Sequence, residues 1–354
     1  MIELRSDTFT QPTPAMLKAM VTAPLGDDVY GEDPTVARLE RTAADRLGKE
    51  AGCLMPSGTM ANLAAILAHC PRGSTAVVGD ESDIYLYEAA GASTLGGVGY
   101  VPVPNRPDGT LALGDLAAAF PEDPDDPQFA LPALVGLENT QNRCGGVPLP
   151  LDYQRRVAVL ARERGVPLHL DGARIFNAAV ALGAPAAWVA EAADSVQFCL
   201  SKGLSAPIGS VLVGTTDLVA RARRVRKLLG GGMRQAGVVA AAGLVALDEM
   251  VDRLAEDHAN ARLLASGLAS LPGIELDPAT VRTNIVLFRP DPERWRPPDL
   301  IASLGRAGVA VAGFGHGRIR AVTHADVSTA DVERAVSIVD GVLRGDAAPP
   351  GDAA

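Results

Sequence analysis

Cysteine is scarce. Cys53, Cys70, Cys144 and Cys199 are the only four in 354 residues, and no two are spaced as CxxC. That excludes a dense disulfide framework and the common zinc-site spacing, and it suits a reducing cytoplasm. No ligand cluster suggests a metal. No run of about eighteen apolar residues occurs, so no membrane span is expected. An excess of positive charge is also missing: the formal net charge is −10. Nucleic acid and acidic membranes are therefore unexpected partners, because both need basic patches. The nearest approach to one is ARARRVRKLL at 220–229, where Arg221, Arg223 and Arg224 read as a solvated helix face. The opening MIELRSDTFT carries early charges and no apolar centre, unlike a signal peptide. GxxxxGK[ST], GxSxG and HExxH are absent, and GGVG at 96–99 is not a dinucleotide fingerprint.

What is present is an ordinary globular composition, 47% hydrophobic and 21% charged, in a chain long enough for one large domain and a smaller one. Residues 1–30 read as a polar arm with three prolines, Pro12, Pro14 and Pro24. From 31 to 250 short apolar runs alternate with helical patterns. TAVVGD (75–80), ALVGLEN (133–139), VPLHLDG (166–172) and ADSVQFCL (193–200) read as strands, each closed by Gly, Asp, Asn or Ser. Between them, 57–70 and 150–165 read as helices; Ser57 or Thr59 would cap the first, and Gly165 would stop the second. This alternation implies an α/β fold with a mainly parallel sheet covered on both faces. Residues 251–345 read as a smaller α+β domain. The Pro/Gly/Ala-rich end, 346–354, reads as a disordered tail.

The strand ends carry the chemistry. In open α/β sheets ligands sit at the carboxyl ends of strands. Here one strand ends in Asp171, one in Glu138–Asn139, and one in Ser201–Lys202. MPSGTMAN sets Gly58 and Thr59 at a helix N-terminus, where free N–H groups and the helix dipole attract a phosphate. Each feature alone has a bland reading as a cap, a turn or a solvent-exposed lysine. Together they match what pyridoxal phosphate needs: an anion cradle, a carboxylate for the pyridine nitrogen and a lysine for the Schiff base. They also explain why a lysine stands in the small, apolar stretch QFCLSKGLSAPIGSV, where an unpaired ammonium would be costly to bury.

Over nearly its whole length the chain resembles the low-specificity L-threonine aldolases, fold-type-I pyridoxal phosphate enzymes. GDDVYGEDPTVARLE, MPSGTMAN, LHLDGARIFNA, FCLSKGLSAPIGSVLVG and GGGMRQAG carry the resemblance. It implies a large cofactor-binding domain, a small C-terminal domain and a homotetramer, a dimer of dimers with active sites at a subunit interface. By motif, Lys202 is the Schiff-base lysine and Asp171 the partner of the pyridine nitrogen. Gly58 and Thr59 hold the phosphate, with Ser201 beside Lys202. Arg174 lies by the cofactor's phenolic oxygen and the substrate carboxylate, and Ser6 and Arg320 bind that carboxylate. Tyr30, Tyr87, Lys227 and Arg234 match positions at or near the site, some supplied by a neighbouring subunit. The implied reaction is cleavage of an L-β-hydroxy-α-amino acid, threonine or allo-threonine, to glycine and an aldehyde. β-Elimination, cleavage of a bulkier phenylserine-type substrate, and a non-catalytic scaffold are the alternatives.

Two departures stand out. Where the family stacks a histidine over the cofactor, ESDIYLYE (81–88) has Asp83. A second family histidine has Gln128 as its nearest counterpart. The candidates for the base that takes the substrate's hydroxyl proton are then Asp83, a water it holds, or the substrate's own surroundings in the site. His169 is two residues before Asp171, so strand alternation puts both on one face. It either touches the site as a catalytic group or packs in the core. His324 is expected to cap the turn after the Arg320 strand.

Overall fold

Short β-branched and Leu-rich runs become the strands of one seven-stranded sheet. In the computed structural model, which describes residues 1–345, these are β2 (Ala51–Met55), β3 (Thr75–Gly79), β4 (Gly99–Val103), β5 (Pro132–Glu138), β6 (Leu168–Asp171), β7 (Ser195–Cys199) and β8 (Ser210–Gly214). They follow the two-residue β1 (Ile2–Glu3), and their order across the sheet is β2-β8-β7-β6-β5-β3-β4. All pairings are parallel except those of β8, which runs against both neighbours. The fold is α/β with a mainly parallel central sheet, as expected. The expected tail, 346–354, lies outside the described residues.

The sheet is buried on both faces. Along β2, Cys53 and Met55 join one apolar cluster with the helix Gly58–His69, while Leu54 joins the main core on the other face. Three strands are not marked by the sequence pattern: β2, β4 and β8. β4 reads GYVPV, and its Pro102 is tolerated because β4 is an edge strand paired only with β3.

A second cluster of buried apolar residues gathers around four further strands: β9 (Ile274–Glu275), β10 (Ile285–Pro290), β12 (Ala312–Gly313) and β13 (Ile319–Val322). The helix Leu254–Ala269 and the helix Thr329–Arg344 pack together on it. The latter begins with a reciprocal Ser328/Asp331 capping box. β1 pairs in parallel with β11 (Val309–Ala310). The Leu4 carbonyl accepts from Val322 N–H at 2.8 Å, so the first residues of the chain are stitched to its last third. His324 does not cap the following turn through its ring; its Nε2 bonds the Glu3 carbonyl at 2.9 Å. No helix among the described residues is long and apolar enough to cross a membrane.

Candidate active site

The carboxyl ends of β6 and β7 meet the N-terminus of the helix Gly58–His69 around a pocket of about 250 Å³. Gly58, Thr59, Asp83, Tyr87, Asp171, Ser201 and Lys202 line it. Ser57 caps the helix, its Oγ accepting from Met60 N–H at 3.2 Å. The N–H groups of the first turn at Gly58 and Thr59 are left free to hold an anion. A Cβ at position 58 would stand 2.9 Å from the Cys199 Sγ, so only glycine allows this approach of helix to strand.

Asp171 forms the floor. It is buried, and its carboxylate accepts from Gln197 Nε2 at 2.5 Å, Ala173 N–H at 3.0 Å and Asn62 Nδ2 at 2.8 Å. Burial raises its pKa; Lys202 opposes that and Asp83 adds to it. Lys202 stands three residues beyond β7 in a loop closed by Ser205 N–H donating to its carbonyl at 2.8 Å. Burial and Arg174 pull the Lys202 ammonium down, Cys199, Asp83 and Asp7 push it up, and the net direction is up.

Lys202, Asp83 and Tyr87 also face a second opening of about 320 Å³, walled by Ser6, Asn142, Arg174, Phe314 and Arg320. Arg174 is buried and makes a two-pronged pair with Asp7, both bonds at 2.7 Å. Burial opposes ionisation of Asp7, but this guanidinium outweighs it and holds the carboxyl well below the usual range. Arg320 lies over the Phe314 ring at 4.4 Å and donates to Asn142 Oδ1 at 3.0 Å and the Arg5 carbonyl at 3.1 Å. Its Nε has no protein partner. Burial first, then Arg174, lowers its pKa to about 10. Asp83 begins a short helix. Its N–H donates to Glu138 Oε2 at 2.7 Å, and its carboxylate accepts from Asn142 Nδ2 at 3.1 Å. The Tyr87 hydroxyl accepts from Arg143 Nη1 at 2.5 Å.

Not every expected residue comes to this place. His169 shares a face with Asp171, as strand alternation requires, but it is fully buried beneath Asn62 and does not reach the pocket wall. It cannot touch a substrate, so the expectation of a catalytic His169 is corrected here. Tyr30 and Lys227 line a separate cleft of about 650 Å³, and Arg234 pairs with Asp27 at 2.9 Å close by. Within one chain these three do not join Lys202. Gln128 is exposed and bonds Asp126.

Other polar groups near the site are not singled out by the sequence: Asp7, Asn62, Glu88, Asn142 and Gln197. One signal was available. Asn62 is the single polar side chain in the Ala/Leu body of its helix, which invites the question of what it bonds. Asp7 is the neighbour of Ser6 in LRSD. Glu88 precedes Ala89 and Ala90, whose φ values of 53° and 51° are left-handed.

The mainly parallel sheet thus presents a lysine beyond β7 and a carboxylate at the end of β6, and the second sheet contributes an arginine. The chain belongs to the beta-eliminating lyase family, whose model matches residues 3–290. It is 47% identical to a probable low-specificity L-threonine aldolase 2 of Arabidopsis thaliana, covering 97% of both chains. It is 46% identical to the low specificity L-threonine aldolase of Escherichia coli (strain K12), covering 93% of this chain and 95% of that one. A solved Leishmania major threonine aldolase shares the fold at a TM-score of 0.81 and 22% identity, covering 97% of this chain and all of that one.

Proposed function

We propose that the protein is a pyridoxal 5'-phosphate-dependent aldehyde-lyase. Its substrates are L-threonine, L-allo-threonine and related L-β-hydroxy-α-amino acids; its products are glycine and an aldehyde. The observation that carries the reading is Lys202 at the junction of two openings, one floored by Asp171 and the other walled by Arg174 and Arg320. The names of the relatives, aligned over nearly the full chain, support it.

The residues fit the cofactor. Gly58 keeps the cradle open, Lys202 offers the amine, and Asp171 is buried with three donors that favour its ionised form, suited to a protonated ring nitrogen. Bound there, pyridoxal phosphate supplies a sink for the electron pair released when the Cα–Cβ bond breaks. Arg320 has an unpaired Nε beside the opening and matches a substrate carboxylate, with Ser6 as a second contact. Fixing that carboxylate fixes which Cα bond is aligned to break, and orientation of this kind is worth several kcal/mol of barrier. Asp83, or a water it holds, accepts the β-hydroxyl proton; the Asn142 amide keeps its carboxylate turned inward as an acceptor. Lys202 is placed to return a proton to Cα.

The assembly is read as a homotetramer. Tyr30 and Lys227 line an open cleft beside the exposed Leu228, which suits contact with a second copy of this chain. Four free cysteines suit a cytoplasmic setting.

The test is a product assay on cofactor-loaded protein with L-threonine, L-allo-threonine, L-phenylserine and L-serine. Glycine and aldehyde in equal amounts are expected from the first three. Pyruvate from serine with no aldehyde from any substrate would replace the aldolase reading with a β-eliminating one.

A further inference from the structure

Behind the Asn62 amide, one of the three donors to Asp171, runs a row of hydrogen bonds not used above. His69 Nε2 lies 2.9 Å from Ser195 Oγ, and that oxygen lies 2.8 Å from His169 Nδ1. His169 Nε2 lies 3.0 Å from Asn62 Oδ1. The Asn62 amide nitrogen reaches Asp171 Oδ2 and Glu88 Oε1, both at 2.8 Å. His169 and Ser195 are fully buried and Asn62 nearly so.

We propose that His169 is a positioning residue: through Asn62 it fixes which way Asp171 and Glu88 are hydrogen-bonded, and so keeps Asp171 an anionic acceptor. The proposal rests on the cofactor reading above only for its last consequence.

The direction of every bond follows from one end. Two carboxyl oxygens face one amide group, so that group must be the NH₂, which has two donors, and not the oxygen, which has none. The amide oxygen then points at His169, whose Nε2 must carry a proton. A neutral ring with its proton on Nε2 leaves Nδ1 as acceptor, so Ser195 donates to it. The serine oxygen in turn accepts from His69 Nε2–H. Burial keeps His169 neutral, its pKa pushed down to about 3, so the imidazole cannot become a double donor near neutral pH. The reverse arrangement, with His169 protonated at Nδ1, would turn the amide oxygen onto two carboxyl groups. An amide does not pass a proton along, so this row conveys orientation and not protons. Three donors then hold the Asp171 carboxylate against the tendency of burial to protonate it. Glu88, which shares the amide, has its pKa pushed well upward by burial and by Asp171.

The experiment has two parts. In the unaltered protein without cofactor, nitrogen–proton correlation spectra of the imidazoles should show His169 protonated at Nε2 alone and unchanged from about pH 9 to 5. His169→Leu assigns the signal by removing it. An Nδ1-protonated His169 overturns the proposal, whether or not pyridoxal phosphate binds. In the second part pyridoxal phosphate is titrated by fluorescence. His169→Leu should weaken binding about tenfold, the scale of one charge-assisted hydrogen bond. His169→Gln, which keeps a donor near the Nε2 position, should restore it. Equal affinity in His169→Leu and the unaltered protein overturns the proposal. If the unaltered protein does not take up pyridoxal phosphate, the cofactor reading fails while the spectra still decide the positioning role.

Discussion

The floor of the pocket and its substrate-facing wall are built on opposite plans. The floor comes from elements of the large sheet: Asp171 on β6, Gln197 on β7 and Asn62 on the helix Gly58–His69. Its polar atoms find one another, and each bond satisfies a buried group. The wall is assembled from distant pieces: Ser6 from the start of the chain, Asn142 from the loop after β5, and Arg320 from β13, with Asp7 buried behind it against Arg174. There Arg320 Nε has no protein partner. A site that must hold one group permanently and exchange another needs this division. Closed bonding fixes geometry, and unmet donors wait for a ligand.

Substitutions can break this contrast. The largest effect is expected at its junction: Lys202→Ala should abolish turnover by several orders of magnitude, with cofactor uptake followed by absorbance. Next, Asp83→Asn should lower kcat by about 10²-fold or more with little change in cofactor affinity, as loss of a general base requires. Equal kcat in Asp83→Asn would move the base elsewhere. Arg320→Gln should act on the wall alone, lowering kcat/KM about 10–100-fold through KM, the scale of a charged hydrogen bond. If Arg320→Gln instead weakened cofactor binding, floor and wall would not be separate.

pH tests the floor. The free pKa of histidine is near 6.5, and burial pushes His69 down to about 4 and His169 to about 3. Between those values and 6.5 the unfolded chain binds protons that the folded one refuses. Stability is therefore complete above about pH 6.5 and falls as pH drops toward 4 and 3, by up to about 1.4 kcal/mol per pH unit for each ring. Thermal unfolding from pH 7 to 4 should show this, with a shallower fall in His69→Gln. The smallest effect is expected away from both openings: Ala90 sits at φ 51°, and Ala90→Gly should raise stability by about 0.5–1 kcal/mol, read by thermal unfolding.

The sequence makes the floor easier to read than the wall. Lys202, Asp171 and Gly58 each follow a strand or open a helix whose pattern is local, so their neighbourhood can be read from a dozen residues. β2, β4 and β8 are less legible: β4 carries Pro102, and the small-residue strands AGCLM and SVLVG lack alternation because both faces are buried. The Asp7–Arg174 pair joins residues 167 positions apart, and no local pattern signals such a partner. His169 shows the limit of alternation. It predicts the face, but how far a ring stands below the pocket depends on Asn62, one helix away.

The stitching of β1 to β11 bears on how the protein is made. Ile2 cannot pair until Val309 exists, and Leu4 meets Val322 later still. Ser6 and Asp7 follow that strand closely, so its pairing brings them to the site. A ribosome-bound chain can therefore complete the large sheet, and even seat Lys202 beside Asp171, while the substrate wall is still missing. Competence arrives only after Arg320 and Val322 have been made. Until then the opening segment must wait, unpaired, for a partner that has not yet been synthesised.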